Sequence, residues 1–143
     1  MPHVARSALI NFSAGQMYDL VNDVGAYPAF LPGCVESKIL QQEPNYMKAS
    51  LKVSKGGISQ WFSTENHLIP NEKIIMNLVD GPFKSLTGGW TFTPLADNAC
   101  KVELNLHFEF SNKLVEMAFG KIFSQLTANM VDAFTQRAKQ VYV

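Results

Sequence analysis

Apolar residues recur at steps of three and four from Ser111 to about Gln140, and no other stretch keeps that period for so long. Val115, Phe119, Ile122, Leu126, Met130 and Ala133 make the stripe, while Phe123, Phe134, Ala138 and Val141 widen it into a broad face. The spacing predicts one helix of about thirty residues, roughly 45 Å long at 1.5 Å per residue. Its face must be buried. Ser111 or Asn112 suits the N-cap, Glu116 suits the N-terminal pole, and Arg137 with Lys139 suit the C-terminal one. Gly120 interrupts the stripe at a cost of about 1 kcal/mol relative to alanine. It marks either close approach to another backbone or room for something that is not protein.

The chain before this helix reads differently. Val4 to Asn11 alternates loosely, as a strand does, and then Ser13 and Gln16 form a capping box with Phe12 and Met17 as a hydrophobic staple. Met17, Leu20, Val21 and Val24 give a short helix, with Gly25 expected as its left-handed cap. Two prolines and a glycine between Ala26 and Cys34 leave room for one helical turn carrying Tyr27, Phe30 and Leu31. From Val35 the period becomes two. Met47, Ala49, Leu51 and Val53 alternate with polar residues, and Cys100, Val102, Leu104, Leu106, Phe108 and Phe110 do so without a break. Strands over 58–69, 73–80 and 83–94 lie between them, separated by turn compositions such as Pro70-Asn71-Glu72 and Asp80-Gly81-Pro82. The order is strand, two short helices, about six strands, long helix. That order predicts an α+β fold, one antiparallel sheet curled around the C-terminal helix.

Composition narrows the class. A chain of 143 residues, 47% hydrophobic and 17% charged, buries enough surface for one self-sufficient core, so residues 1–143 are expected to form a single domain. Lys plus Arg equals Asp plus Glu at 12 each, with a sequence pI near 6.8, so no global field draws DNA or anionic lipid. Cys34 and Cys100 are isolated thiols without a CxxC spacing, and the Met1 end shows neither a basic leader nor a long apolar run. A reduced, cytoplasmic protein is the expectation.

Few residues promise chemistry. His3, His67 and His107 are scattered, Cys100 falls on the dry face of its strand, and no GxSxG, Walker loop, GxGxxG or HExxH occurs. This predicts a non-enzyme without a metal or a covalently bound cofactor. The informative feature is a strand on which Phe62 and Leu68 share a face with Thr64 and Asn66. A buried, unpaired amide costs about 1–3 kcal/mol, so Asn66 needs a partner. Backbone or water is one; the polar head of a mostly apolar ligand is the other. Trp61 falls on the opposite face as a contact for a partner or membrane surface. Lys48, Lys52 and Lys55 read as one outer face that is either solvated or meets phosphates.

Several blocks in order carry a resemblance: Val21-Asn22-Asp23-Val24, Tyr27-Pro28 with Phe30 to Cys34, Leu78 to Lys84, Gly88-Gly89-Trp90 with Phe92, and Phe108-Glu109-Phe110 leading to Asn112-Lys113-Leu114. Across essentially its whole length the chain resembles the coenzyme Q-binding, START-like polyketide cyclase/dehydrase family. The resemblance implies a helix-grip (START/Bet v 1-like) fold with a tunnel between sheet and helix. It also implies two roles: binding ubiquinone or a similar isoprenoid lipid in support of respiration, and, in a bacterial branch, a toxin that binds the large ribosomal subunit and blocks subunit joining. A hydrophobic small molecule, the large ribosomal subunit, a small antitoxin protein and transient contact with the inner membrane face are the partners it brings into question. In the ligand reading Phe30 and Leu31 form a lid, Phe62, Phe83 and Trp90 the walls, Phe119, Ile122 and Phe123 the floor, and Asn66 a hook for the head group.

Overall fold

The computed structural model describes residues 3–142. β1 (His3–Ile10) is followed by α1 (Ala14–Asn22), a 3-10 helix (Val24–Ala29), β2 (Cys34–Glu43), β3 (Tyr46–Lys55), β4 (Ile58–Ile69), β5 (Lys73–Asp80), β6 (Phe83–Ala96), β7 (Ala99–Phe110) and α2 (Lys113–Val141). The strands make one antiparallel sheet in the order β1-β7-β6-β5-β4-β3-β2. From β2 to β7 each strand pairs with the next, and β1 closes on the far side of β7. α1 and the 3-10 helix therefore bridge the two edges. α2 lies across the inner face, against β1 and β7 on one side and β3 and β4 on the other.

Local signals place these elements. On β7 every residue of the set Cys100, Val102, Leu104, Leu106, Phe108 and Phe110 is buried, and each residue between them is half-buried or exposed. Asn112, not Ser111, caps α2, accepting a hydrogen bond from the Val115 N–H at 2.9 Å. The capping box on α1 is complete: Gln16 N–H donates to Ser13 Oγ at 3.1 Å and Ser13 N–H donates to Gln16 Oε1 at 2.9 Å.

Gly25 is not a left-handed cap. α1 ends at Asn22, the chain turns through Asp23 at φ −84°, and Gly25 continues into the 3-10 helix. The reason lies in a tertiary bond: the Tyr27 hydroxyl donates to the Val21 carbonyl, satisfying one of the free carbonyls at the end of α1 that a glycine cap would otherwise serve.

Two glycines bend the sheet. Gly88 and Gly89 on β6 hold φ values of 142° and 157°, and a Cβ built on either would lie 2.0 Å from a neighbouring carbonyl oxygen, that of Asn105 or Ile74. β6 thereby curves between β5 and β7 with both neighbours in close backbone contact. Gly120 is different. A Cβ there would meet the Phe110 ring at 3.5 Å, an ordinary contact with a side chain and not with another backbone.

Aromatic packing fills both ends of the grip. At one end Phe83 sits among Phe62, Phe108, Phe110, Phe119 and Phe123, with ring centroids from 4.8 to 6.3 Å away. At the other, Phe134 of α2 is met by Tyr27, Phe30 and Trp90 at 5.2, 5.1 and 5.3 Å.

Candidate functional site

Between these two aromatic clusters the inner face leaves a cavity of about 50 Å³. Phe62 and Phe123 border it on one side and Tyr27 and Trp90 on the other, with Asn66 and Thr64 set into the sheet wall. Thr64 and Asn66 do point inward, and both are buried. Thr64 Oγ1 donates to Asn66 Oδ1 at 2.9 Å. Whichever way the amide is turned, Thr64 takes one of its two polar atoms. Among the described residues the other has no protein partner and opens on the cavity. Thr127, across the space on α2, is spent on the helix backbone, donating to the Phe123 carbonyl at 3.0 Å.

The cavity wall is poor in acid or base groups. Tyr27 is the one lining residue with an ordinarily titratable side chain; burial pushes its phenol well above the usual range, and its hydroxyl is already committed to Val21. The site can therefore hold an apolar group and orient it through one hydrogen bond. A volume of about 50 Å³ has room for a few waters or a small fragment, against the roughly 300–1,000 Å³ of pockets for drug-sized ligands.

Of the residues expected around a tunnel, Phe62, Asn66, Trp90 and Phe123 line this cavity. Phe83 and Phe119 face inward but belong to the aromatic end, where they pack ring on ring with Phe123, and neither lines the cavity. Phe30 is half-buried between the Phe134 ring and the Arg137 guanidinium, 5.1 Å from each, and Leu31 is buried beside it. Ile122 lies outside, on a second recess. Met130 of the α2 stripe and Leu106 of the dry face of β7 also line the cavity, as do Thr127 and Met76, which no motif in the sequence marks.

The second recess, about 350 Å³, opens between the Pro32-Gly33 loop, the end of β3 and α2. Ser54, Lys55, Ile122, Gln125 and Asn129 surround it. Leu126 borders both spaces, and a Cβ direction at Gly33 points to its Cδ1 at 3.8 Å. Lys55 thus parts from Lys48 and Lys52. An odd number of residues along the strand turns it to the inner side, where its Nζ donates to Gln125 Oε1 at 3.0 Å, while Lys52 pairs outside with Glu36 at 3.2 Å.

The outer face has its own contacts. Trp61 is half-buried there under the Lys38 ammonium, 4.8 Å from the ring centroid. His3 and His107 are register partners on β1 and β7, their rings stacked at 4.1 Å. Cys34 and Cys100 are buried, and burial raises both thiols, Cys34 to about 11. Among the described residues no cluster of His, Cys, Asp and Glu suits a metal ion, and no helix is long and apolar enough to cross a membrane.

A curved antiparallel sheet closed by a long C-terminal helix over an apolar cavity defines a helix-grip protein of the START-like class. The chain belongs to the family described as polyketide cyclase / dehydrase and lipid transport, whose model matches residues 10–135. It is 63% identical over 142 residues to the ribosome association toxin RatA of Vibrio cholerae, spanning 99% of both chains. It is 60% identical to RatA of Escherichia coli over 99% of this chain and 90% of that one. A more distant relative is the mitochondrial coenzyme Q-binding protein COQ10 homolog B of Xenopus laevis, 30% identical over 96% of this chain and 58% of that protein. In fold it is similar to the Zhui aromatase/cyclase of Streptomyces sp. R1128, with a TM-score of 0.87 at 15% identity over 99% and 96% of the two chains.

Proposed function

We propose that this protein is a non-enzymatic binder of a mostly apolar ligand, of which ubiquinone or a similar isoprenoid lipid is the family's example. The observation that carries the reading is the unspent polar atom of Asn66 in a mostly apolar wall whose two threonine hydroxyls are already committed. Apolar burial at about 25 cal/mol per Å² supplies the affinity and Asn66 the orientation. A quinone ring with its tail exceeds the closed cavity, so binding requires the grip to open. The absence of an acid/base pair at the cavity wall supports binding over cyclase chemistry. The test is organic extraction of protein purified under non-denaturing conditions from its native host, read by mass spectrometry. Stoichiometric isoprenoid lipid is the expected result, with Phe123→Asp abolishing it; undiminished lipid in a folded Phe123→Asp protein overturns the assignment.

A second reading is ribosome association, favoured by 60–63% identity along the whole chain to proteins named for it. In this reading the protein binds the large subunit, blocks joining, and answers to a small antitoxin protein. With no net charge, its grip on RNA rests on local patches. Co-sedimentation with large subunits over a salt series tests this. Retention that falls steeply with salt indicates phosphate contacts, a flat response indicates ribosomal protein contacts, and no co-sedimentation removes the reading.

A further inference from the structure

Lys55 is an exposed cation on the α2 side of β3 with a neutral partner. Its contact is the side-chain oxygen of Gln125, and neither ion pair among the described residues, Lys52 with Glu36 or Lys84 with Glu109, includes it. No carboxylate lines the recess in which it stands. Accepting from Lys55 leaves the Gln125 amide N–H₂ free to donate. Asn129 follows one turn later on the same face of α2. One cation and two neutral amide donors around a space of about 350 Å³ are the chemistry of an anion site. Its inner side is apolar, formed by half-buried Ile122 and buried Leu126, and behind Leu126 lies the apolar cavity.

Polar and charged groups outside and apolar walls inside match the order of groups along an amphiphile. We infer that the recess holds the anionic head, a carboxylate or phosphate monoester, of a single-chain amphiphile, and that Leu126 is the gate its tail passes to reach the inner cavity. This rests on the reading of that cavity as a ligand site. Leu126 is suited to the part because it is the side chain common to both spaces and because Gly33, at φ 89°, covers one flank of it with no side chain.

The test titrates the full chain, followed by amide chemical shifts, with n-octyl phosphate, n-octanol and inorganic phosphate at one ionic strength. Octyl phosphate should bind about tenfold more tightly than octanol, one charge-assisted contact being of that size, and at least about tenfold more tightly than inorganic phosphate, which buries no alkyl chain. It should shift residues 54–55 and 125–129 together with 64–66. Lys55→Gln, an exposed change that leaves the fold alone, should remove the preference over octanol without altering octanol binding. Leu126→Phe, which fills the junction, should weaken both alkyl compounds. Equal binding of octyl phosphate and octanol, unchanged by Lys55→Gln, overturns the head-group site while leaving the cavity reading intact. Inorganic phosphate binding as tightly as octyl phosphate makes the recess a free-anion site and overturns the amphiphile. If neither alkyl compound shifts residues 64–66, the cavity reading fails and the inference with it.

Discussion

Thr64 and Asn66 lie two residues apart on β4 and are joined side chain to side chain at 2.9 Å, so each is the other's only buried partner within the wall they share. The pair is asymmetric in its consequences. Thr64→Val leaves the amide with no intramolecular bond and should lower stability by about 1–3 kcal/mol. The double change Thr64→Val with Asn66→Leu removes both polar groups and should return to within about 1 kcal/mol of the parent. Urea denaturation of the parent and the two variants checks this. A double variant as unstable as the single would mean that the amide makes a contact beyond Thr64.

Gly88 and Gly89 permit the bend that lets the sheet close on α2. Gly88→Ala places a methyl 2.0 Å from the Asn105 carbonyl oxygen in a backbone region that L residues avoid, and the obstacle is backbone that cannot rotate away. The expected loss is at least about 3 kcal/mol, seen as a large fall in the urea midpoint or as insoluble expression. Gly25→Ala, where a Cβ meets nothing within 4 Å and φ is ordinary, is the control and should change stability by less than about 1 kcal/mol.

Gly120→Ala should act in the opposite direction. The position is helical, and its new methyl would touch the Phe110 ring at 3.5 Å with no backbone in the way. A gain of up to about 1 kcal/mol is expected from helix propensity and reduced freedom of the unfolded chain. A loss in thermal melting would show that the Phe110 ring lacks the room to accept it.

What the sequence made legible was whatever depends on near neighbours. The capping box at Ser13 and Gln16, the unbroken alternation of β7 and the apolar stripe of α2 each specify their element within a few residues. Gly25 misled because the end of α1 is settled by Tyr27 reaching back to Val21, a side-chain bond that glycine's usual role as a helix stop does not announce. Lys55 shares only its charge with Lys48 and Lys52; its odd spacing from them puts it on the other face of β3. The cavity was half legible. Period two assigns Trp90, with Leu86 and Phe92, to the inner face of β6, but it would send Phe83, seven residues before Trp90, to the other side. Phe83 turns inward because the register shifts between Phe83 and Ser85, and it joins the aromatic end while Phe62 and Trp90 line the cavity.

Phe83 should be the most costly single truncation at that end. Its ring contacts five others, and Phe83→Ala would leave a hole that they cannot fill without moving off their edge-to-face geometry. About 3–5 kcal/mol is expected, against less than about 1.5 kcal/mol for a volume-conserving Phe83→Met. Because the cluster borders the cavity through Phe62 and Phe123, the same truncation should enlarge the ligand space; an apolar probe such as benzene should restore part of the lost melting temperature, by an amount that rises with the logarithm of its concentration above its Kd.

The buried thiol of Cys34 sets a pH dependence with a definite sign. Burial pushes the folded-state thiol up to about 11 from an ordinary value of 9.0, so between those values the unfolded chain ionises while the folded one stays protonated. The folded state then binds more protons than the unfolded state, and stability falls as pH rises. The contribution is complete below about pH 9 and is lost by about pH 11, and the raised Cys100 and Tyr27 act in the same direction. Urea midpoints should therefore decline from pH 8.5 to 10.5, and Cys34→Ala should flatten the decline relative to its own value at pH 8.5. The same protonation predicts slow chemistry: at pH 8 a disulfide reagent should react with neither thiol in the native protein and with both once urea is added, because the reactive thiolate is scarce and the sulfurs are covered. Fast labelling of one thiol without urea would show that the loop at Gly33 and Cys34 opens readily in the native state.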